Sequence, residues 1–114
     1  VYMGMGDYDN AILVYKRVIV LNPKDDLSYF AIGYLYFKKK DTQNSIVYYK
    51  KAVDLKPAKI EYTAELVRQY ISVKRYNEAR AALENLYRLN PEAKKNRMIA
   101  KFQVFLDFAT IFKK

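Results

Sequence analysis

The chain has 114 residues, 52% of them hydrophobic, a formal charge of +9, and neither cysteine nor histidine. That length accommodates one domain with a sizeable core, and the two missing residue types exclude disulfides, thiolate nucleophiles, Cys-containing zinc sites, and the commonest metal ligand and proton shuttle. No stretch approaches the roughly 18 uninterrupted apolar residues of a membrane span, and the basic surplus by itself only invites polyanions or acidic partners.

The opening VYMGMGDYDN carries neither a charged leader nor an apolar run. No signal peptide is therefore visible, and location stays open with the cytoplasm as the default. Asp7 is expected to cap a helix over DNAILVYKRVIVL that ends before Pro23. Asp25-Asp26 read as the start of the next helix, in which Ile32, Leu35 and Tyr36 share one face. Lys38-Lys39-Lys40-Asp41 marks a break: the basic run suits a helix C-terminus and Asp41 suits an N-cap. Ile46, Tyr49 and Val53 then lie on one face of a further helix, closed by Pro57.

These elements recur. Pro23, Pro57 and Pro91 are spaced by 34 residues and follow Leu21-Asn22, Leu55-Lys56 and Leu89-Asn90. On the same step lie Ala11, Ser45 and Ala79, then Tyr15, Tyr49 and Leu83, and also Tyr2, Tyr36 and Tyr70. The unit Tyr29-x-x-Ile32-Gly33-x-x-Tyr36, followed by Ser45-x-x-x-Tyr49, Ala52 and Pro57, resembles the tetratricopeptide motif. The first unit matches it through Gly6-Asp7-Tyr8, Ala11, Tyr15 and Pro23, and the third through Leu66, Tyr70, Tyr76, Ala79 and Pro91, so the resemblance covers about residues 1 to 92. Val67 departs from it where a small residue is usual, Thr63 where a large aromatic is usual, and the internal turns of units two and three lack their usual glycine.

The resemblance implies an all-α fold, a right-handed α-solenoid of antiparallel helix pairs forming a tetratricopeptide-like superhelix. The expected division is a partial repeat over 1–25, repeats over 26–59 and 60–93, and a C-terminal capping helix over 94–114. If Tyr2 matches Tyr36, Val1 falls in the middle of a first helix, so the chain is expected to be a fragment of a longer one with the apolar face of residues 11–21 uncovered. In the last helix Met98, Phe102, Phe105, Ala109 and Phe112 form one apolar stripe, with Phe108 and Ile111 off it. The stripe is expected to be the side docked on unit three, the commoner use of such a stripe, the alternative being that its outer part meets another chain or further sequence.

The resemblance also implies that the first helix of each unit faces a shared concave wall. Its members would be Leu27, Phe30, Ala31, Tyr34, Phe37 and Lys38 in unit two, Glu61, Ala64, Glu65, Arg68 and Ile71 in unit three, with Met98 and Phe102 from the cap. Aromatics mixed with a few charges suit capture of a peptide or partner protein. Family members that grip a terminal carboxylate use lysine, asparagine and arginine. Ala31, Glu61 and Glu65 stand at those places here, which argues against a heat-shock co-chaperone.

Self-association, through the open N-terminal edge or the Phe-rich last helix, is the alternative. Nucleic-acid binding is a minor third: the basic clusters Lys38–Lys40, Lys50-Lys51, Lys74-Arg75, Lys94-Lys95-Arg97 and Lys113-Lys114 are scattered, and the twelve tyrosines mostly occupy motif places. No paired carboxylates face each other, and Glu61 and Glu65 are one helical step apart with Arg68 beside them. Three glycines build no phosphate loop. The chain is thus expected to be a scaffold without enzymatic activity, metal or cofactor.

Overall fold

The computed structural model describes residues 5–112, with side chains from Gly6 to Ile111. Val1, Tyr2 and the expectations resting on them lie outside the described residues, as do the Phe112 side chain and Lys113-Lys114. Six α-helices follow one another: α1 (Met5–Leu21), α2 (Asp26–Lys38), α3 (Thr42–Leu55), α4 (Ile60–Ser72), α5 (Tyr76–Leu89) and α6 (Arg97–Phe112), with a 3-10 helix over Pro91–Lys95 and no strand among the described residues. The chain divides into two units, 1–56 holding α1 to α3 and 57–114 holding α4 to α6.

The 34-residue lattice of the sequence reappears as a lattice of backbone hydrogen bonds. The residue before each proline donates to the carbonyl four residues back: Asn22 to Val18, Lys56 to Ala52, Asn90 to Leu86. Proline ends each helix because it lacks the donor that would continue it. The turns inside the helix pairs repeat as well. Lys40 N–H donates to Phe37 and Asp41 N–H to Tyr36, and 34 positions on Lys74 donates to Ile71 and Arg75 to Tyr70. These are paired Schellman closures, whose penultimate residue must be left-handed. Lys40 has φ 64° and Lys74 φ 63°, so two lysines hold the conformation that glycine usually supplies.

In the first unit α2 packs between α1 and α3. Ile12, Ile32 and Leu35 are buried together, with Tyr8, Ala11, Ile19, Tyr36 and Tyr48 packed against them. Ser45 Oγ donates to the Gly33 carbonyl at 2.8 Å, tying α3 to α2. Asp41 caps α3 as expected, accepting from Asn44 N–H at 3.2 Å. Asp25 occupies the N-cap of α2 and accepts from Ser28 Oγ.

The expected cap at Asp7 is a correction, because α1 runs straight through Gly6-Asp7. Gly6 does not take the left-handed φ of Lys40 and Lys74, so no turn forms there. Asp7 instead lies in the first turn of the helix, where its carboxylate favours the positive end of the dipole.

In the second unit α4 packs on α5, and α6 on both. Thr63 and Val67, the two departures from the motif, are fully buried, as is Leu83. The first unit pairs a glycine with a tyrosine at the places of Val67 and Leu83, so two medium side chains replace a small and a large one. Pro91 opens the 3-10 turn, Ala93 is buried, and Asn96 caps α6 by accepting from the N–H groups of Met98 and Ile99 at 3.0 and 3.1 Å. The last helix therefore starts at Arg97, three residues after the expected start at 94.

The docked face of α6 is also a correction. Ile99 and Leu106 are fully buried and Phe102, Gln103 and Ala109 half-buried, whereas Met98 and Phe105 are exposed. The stripe expected from the phenylalanines is rotated because Gln103 contributes to the docked side. Its amide bonds Tyr87 Oη and Asp107, so it enters the contact with its polar groups satisfied.

Candidate partner-binding faces

Residues spaced by three and four along α2 put Leu27, Phe30, Ala31, Tyr34 and Lys38 on one side. Leu27, Tyr34, Phe37 and Lys38 are exposed there, while Phe30 and Ala31 are half-buried. The Phe30 ring lies 5.2 Å from that of Tyr49, so part of its surface is committed to the α2–α3 contact. Tyr34 and Phe37 tilt against each other at 6.2 Å, and the Lys38 ammonium stands 5.9 Å over the Tyr34 ring. The result is an aromatic face with a cation at its C-terminal end.

Beside it, between α1 and α2, opens a pocket of about 410 Å³ lined by Tyr8, Ala11, Tyr15, Ala31, Tyr34, Leu35 and Lys38. Small residues make its floor because two alanines, one on each helix, leave room that larger side chains would fill. The sequence reading included Ala31, Tyr34 and Lys38 but took Ala11 and Tyr15 only as motif places and missed the pocket. The signal was there in the spacing of Tyr8, Ala11 and Tyr15, which puts all three on one side of α1.

The remaining expected positions belong to the second unit. Arg68 draws four of them together: it donates to Glu65 at 3.1 Å and to the Met98 sulfur at 3.0 Å, and its guanidinium lies 5.7 Å over the Phe102 ring. Glu61 is exposed and Ile71 half-buried, but Ala64 is 5% exposed and offers a partner almost no surface. The anticipated Glu65–Arg68 pairing is thus part of a charged and apolar cluster on α4 and α6.

The opposite side of α2 is occupied internally. Tyr48 stacks with Tyr36 at 5.6 Å and lies 6.4 Å from Tyr29. Lys16 donates to Tyr36 Oη at 3.1 Å, and that bond, followed by the electrostatic pull of Tyr48, raises its pKa. Of the basic clusters, Lys39 pairs with Asp9, Arg75 with Glu78 and Lys95 with Glu92. Among the described residues no group of three or more acidic side chains is placed to hold a metal ion, and no helix is long and apolar enough to cross a membrane.

Antiparallel helices, a hydrogen-bond lattice of 34 residues and exposed aromatic faces define a helical-repeat protein. Residues 1–40 match the family model described as TPR repeat, and residues 27–59 match the one described as Tetratricopeptide repeat. The chain belongs to the tetratricopeptide-repeat family. It is also similar to Tetratricopeptide repeat protein 6 of Homo sapiens, with 38% identity over 53 residues, 46% of this chain. That match spans 10% of the human protein. Repeats of this kind generally mediate protein–protein interaction and are typically non-enzymatic scaffolds.

Proposed function

We propose that the chain is an interaction scaffold that captures a peptide or partner segment, with the aromatic face of α2 as the contact surface of the first unit and the Arg68 cluster of α4 and α6 as that of the second. Its repeats are read as a partial unit over 1–25, full units over 26–59 and 60–93, and a closing segment over 94–114. The carrying observation is the exposure of Leu27, Tyr34 and Phe37 on one side of α2, at 62%, 47% and 39%. Large apolar groups left on one helix face and rimmed by charge are what a partner's side chains would bury.

Selection of a displayed random peptide library on the chain tests this. Peptides recovered on the parent chain are expected to lose capture with Tyr34→Ala and with Arg68→Glu, while the helical circular dichroism stays unchanged. Unaltered capture by both variants, or no recovered peptide, overturns the reading.

A second reading, self-association, is favoured by Val104, Phe108 and Ile111, which are 58% or more exposed at successive turns of α6. Light scattering distinguishes it. A dimer weakened by Phe105→Glu or Phe108→Glu supports it, and a concentration-independent monomer removes it.

A further inference from the structure

We infer that the pocket between α1 and α2 takes one apolar side chain, aromatic by preference, from a peptide segment that is acidic on either side of it. This inference rests on the interaction-scaffold reading and adds the chemistry of the partner. The pocket's floor, Ala11, Ala31 and Leu35, is apolar, and its walls are the rings of Tyr8, Tyr15 and Tyr34. A volume near 410 Å³ has room for a phenylalanine ring and neighbouring backbone, and three tyrosines offer it edge and face contacts with hydroxyls at the rim.

The charge of the partner follows from the ions around that opening. Among the described residues no carboxylate lines it, and Lys38 is the one ionised lining group. Lys39, the next residue, is neutralised by Asp9, whereas Lys38 has no ion pair among the described residues and rests over the Tyr34 ring. A second concavity, lined by Phe37, Lys38 and Lys40, shares the same lysine and carries two cations with no acid among its described lining residues. A carboxylate next to the inserted side chain would meet Lys38 at the edge of an aromatic surface, where a cation already drawn to a ring gains a charge-assisted bond. A basic flank would meet only like charge. The acid is proposed to come from side chains of the segment, not from a chain terminus.

Three capped heptapeptides test this: acetyl-Gly-Asp-Glu-Phe-Asp-Glu-Gly-amide, its counterpart with lysine at all four acidic places, and its counterpart with alanine for phenylalanine. Titration into the isotope-labelled chain should shift the amides of Ala11, Ala31, Tyr34 and Lys38 with the first peptide. The other two should each bind about tenfold more weakly or not detectably. Lys38→Gln should abolish the preference for the acidic peptide and Lys38→Glu should reverse it, with the Phe dependence kept in both. The gap between acidic and basic peptides should also close as salt is raised.

Equal binding of the acidic and basic peptides, shifts confined to other helices, or a preference untouched by Lys38→Gln would overturn the inference. If none of these peptides binds while library peptides are still captured through Tyr34 and Arg68, the pocket chemistry fails and the scaffold reading stands. If library capture fails too, the scaffold reading goes with it.

Discussion

Gly33 and Tyr49 sit so close that a Cβ on residue 33 would stand 2.6 Å from Cδ1 of the tyrosine and 2.9 Å from its Cε1. The ring cannot retreat, because Tyr49 is completely buried and its other flank meets Phe30. Gly33→Ala should therefore destabilise the chain by about 1–2 kcal/mol, the overpacking cost exceeding the helix-propensity gain of about 1 kcal/mol. Denaturant titration would measure it. The loss should shrink in a Tyr49→Leu background, and equal losses in both backgrounds would deny the contact its role.

Lys40 and Lys74 predict a gain. Each holds a left-handed φ at a Schellman closure, a conformation that a β-carbon disfavours by roughly 1 kcal/mol. Lys40→Gly and Lys74→Gly should each raise stability by about 0.5–1 kcal/mol, even though glycine also loosens the unfolded chain. Thermal unfolding of the single and double variants checks this, with the double expected near the sum because the two turns belong to different units. A loss at either position would mean that the lysine side chain contributes more than its backbone costs.

Much of the fold could be read directly from spacing. The three prolines, the small residues Ala11, Ser45 and Ala79, and the acid at Asp41 are local signals, and each maps onto a backbone bond or a buried contact. Asp7 was misread because an N-cap requires the preceding chain to leave the helix, and Gly6 permits a turn without imposing one. The orientation of α6 was misread for another reason. Nine large apolar residues nearly encircle it, so hydrophobicity alone leaves its rotation undetermined, and the deciding contact is the polar chain from Tyr87 through Gln103 to Asp107. For the candidate site, the places on α2 came from the resemblance to the repeat family, whereas a pocket shared with α1 depends on how two helices pack, which no local spacing states.

Asp41 links stability to acid. Hydrogen bonds from the Asn44 side chain, then from the Asn44 backbone, hold its carboxyl below the ordinary 3.8. A carboxylate whose pKa is lowered on folding stabilises fully above the unfolded value and loses that contribution as pH falls through the folded one. Stability attributable to Asp41 should thus persist at neutral pH and fade below about pH 4. Asp41→Ala should cost about 1 kcal/mol at pH 7 and progressively less in acid. Asp41→Asn should keep most of the cap and flatten that dependence. A cost for the alanine variant that does not change between pH 7 and pH 3 would show that the bond to Asn44 is not what stabilises α3.

The seating of α6 makes the last prediction, and it separates docking residues from exposed ones on a single helix. Ile99 and Leu106 are fully buried, Arg80 donates to the Leu106 carbonyl, and the Tyr76 and Phe105 rings meet edge-on at 5.7 Å. Leu106→Ala leaves a cavity beneath the helix and should cost about 3 kcal/mol, and Ile99→Ala a similar amount. Phe105→Ala keeps the helix seated but removes one aromatic contact, for about 1 kcal/mol. Ile111→Lys replaces a side chain that is 65% exposed and should change the stability of the isolated chain by less than about 0.5 kcal/mol. Chemical denaturation of the four variants at low protein concentration gives the order. If Ile111→Lys cost as much as Leu106→Ala, the helix would be rotated from the seating described, since a lysine is tolerated only where the side chain reaches water.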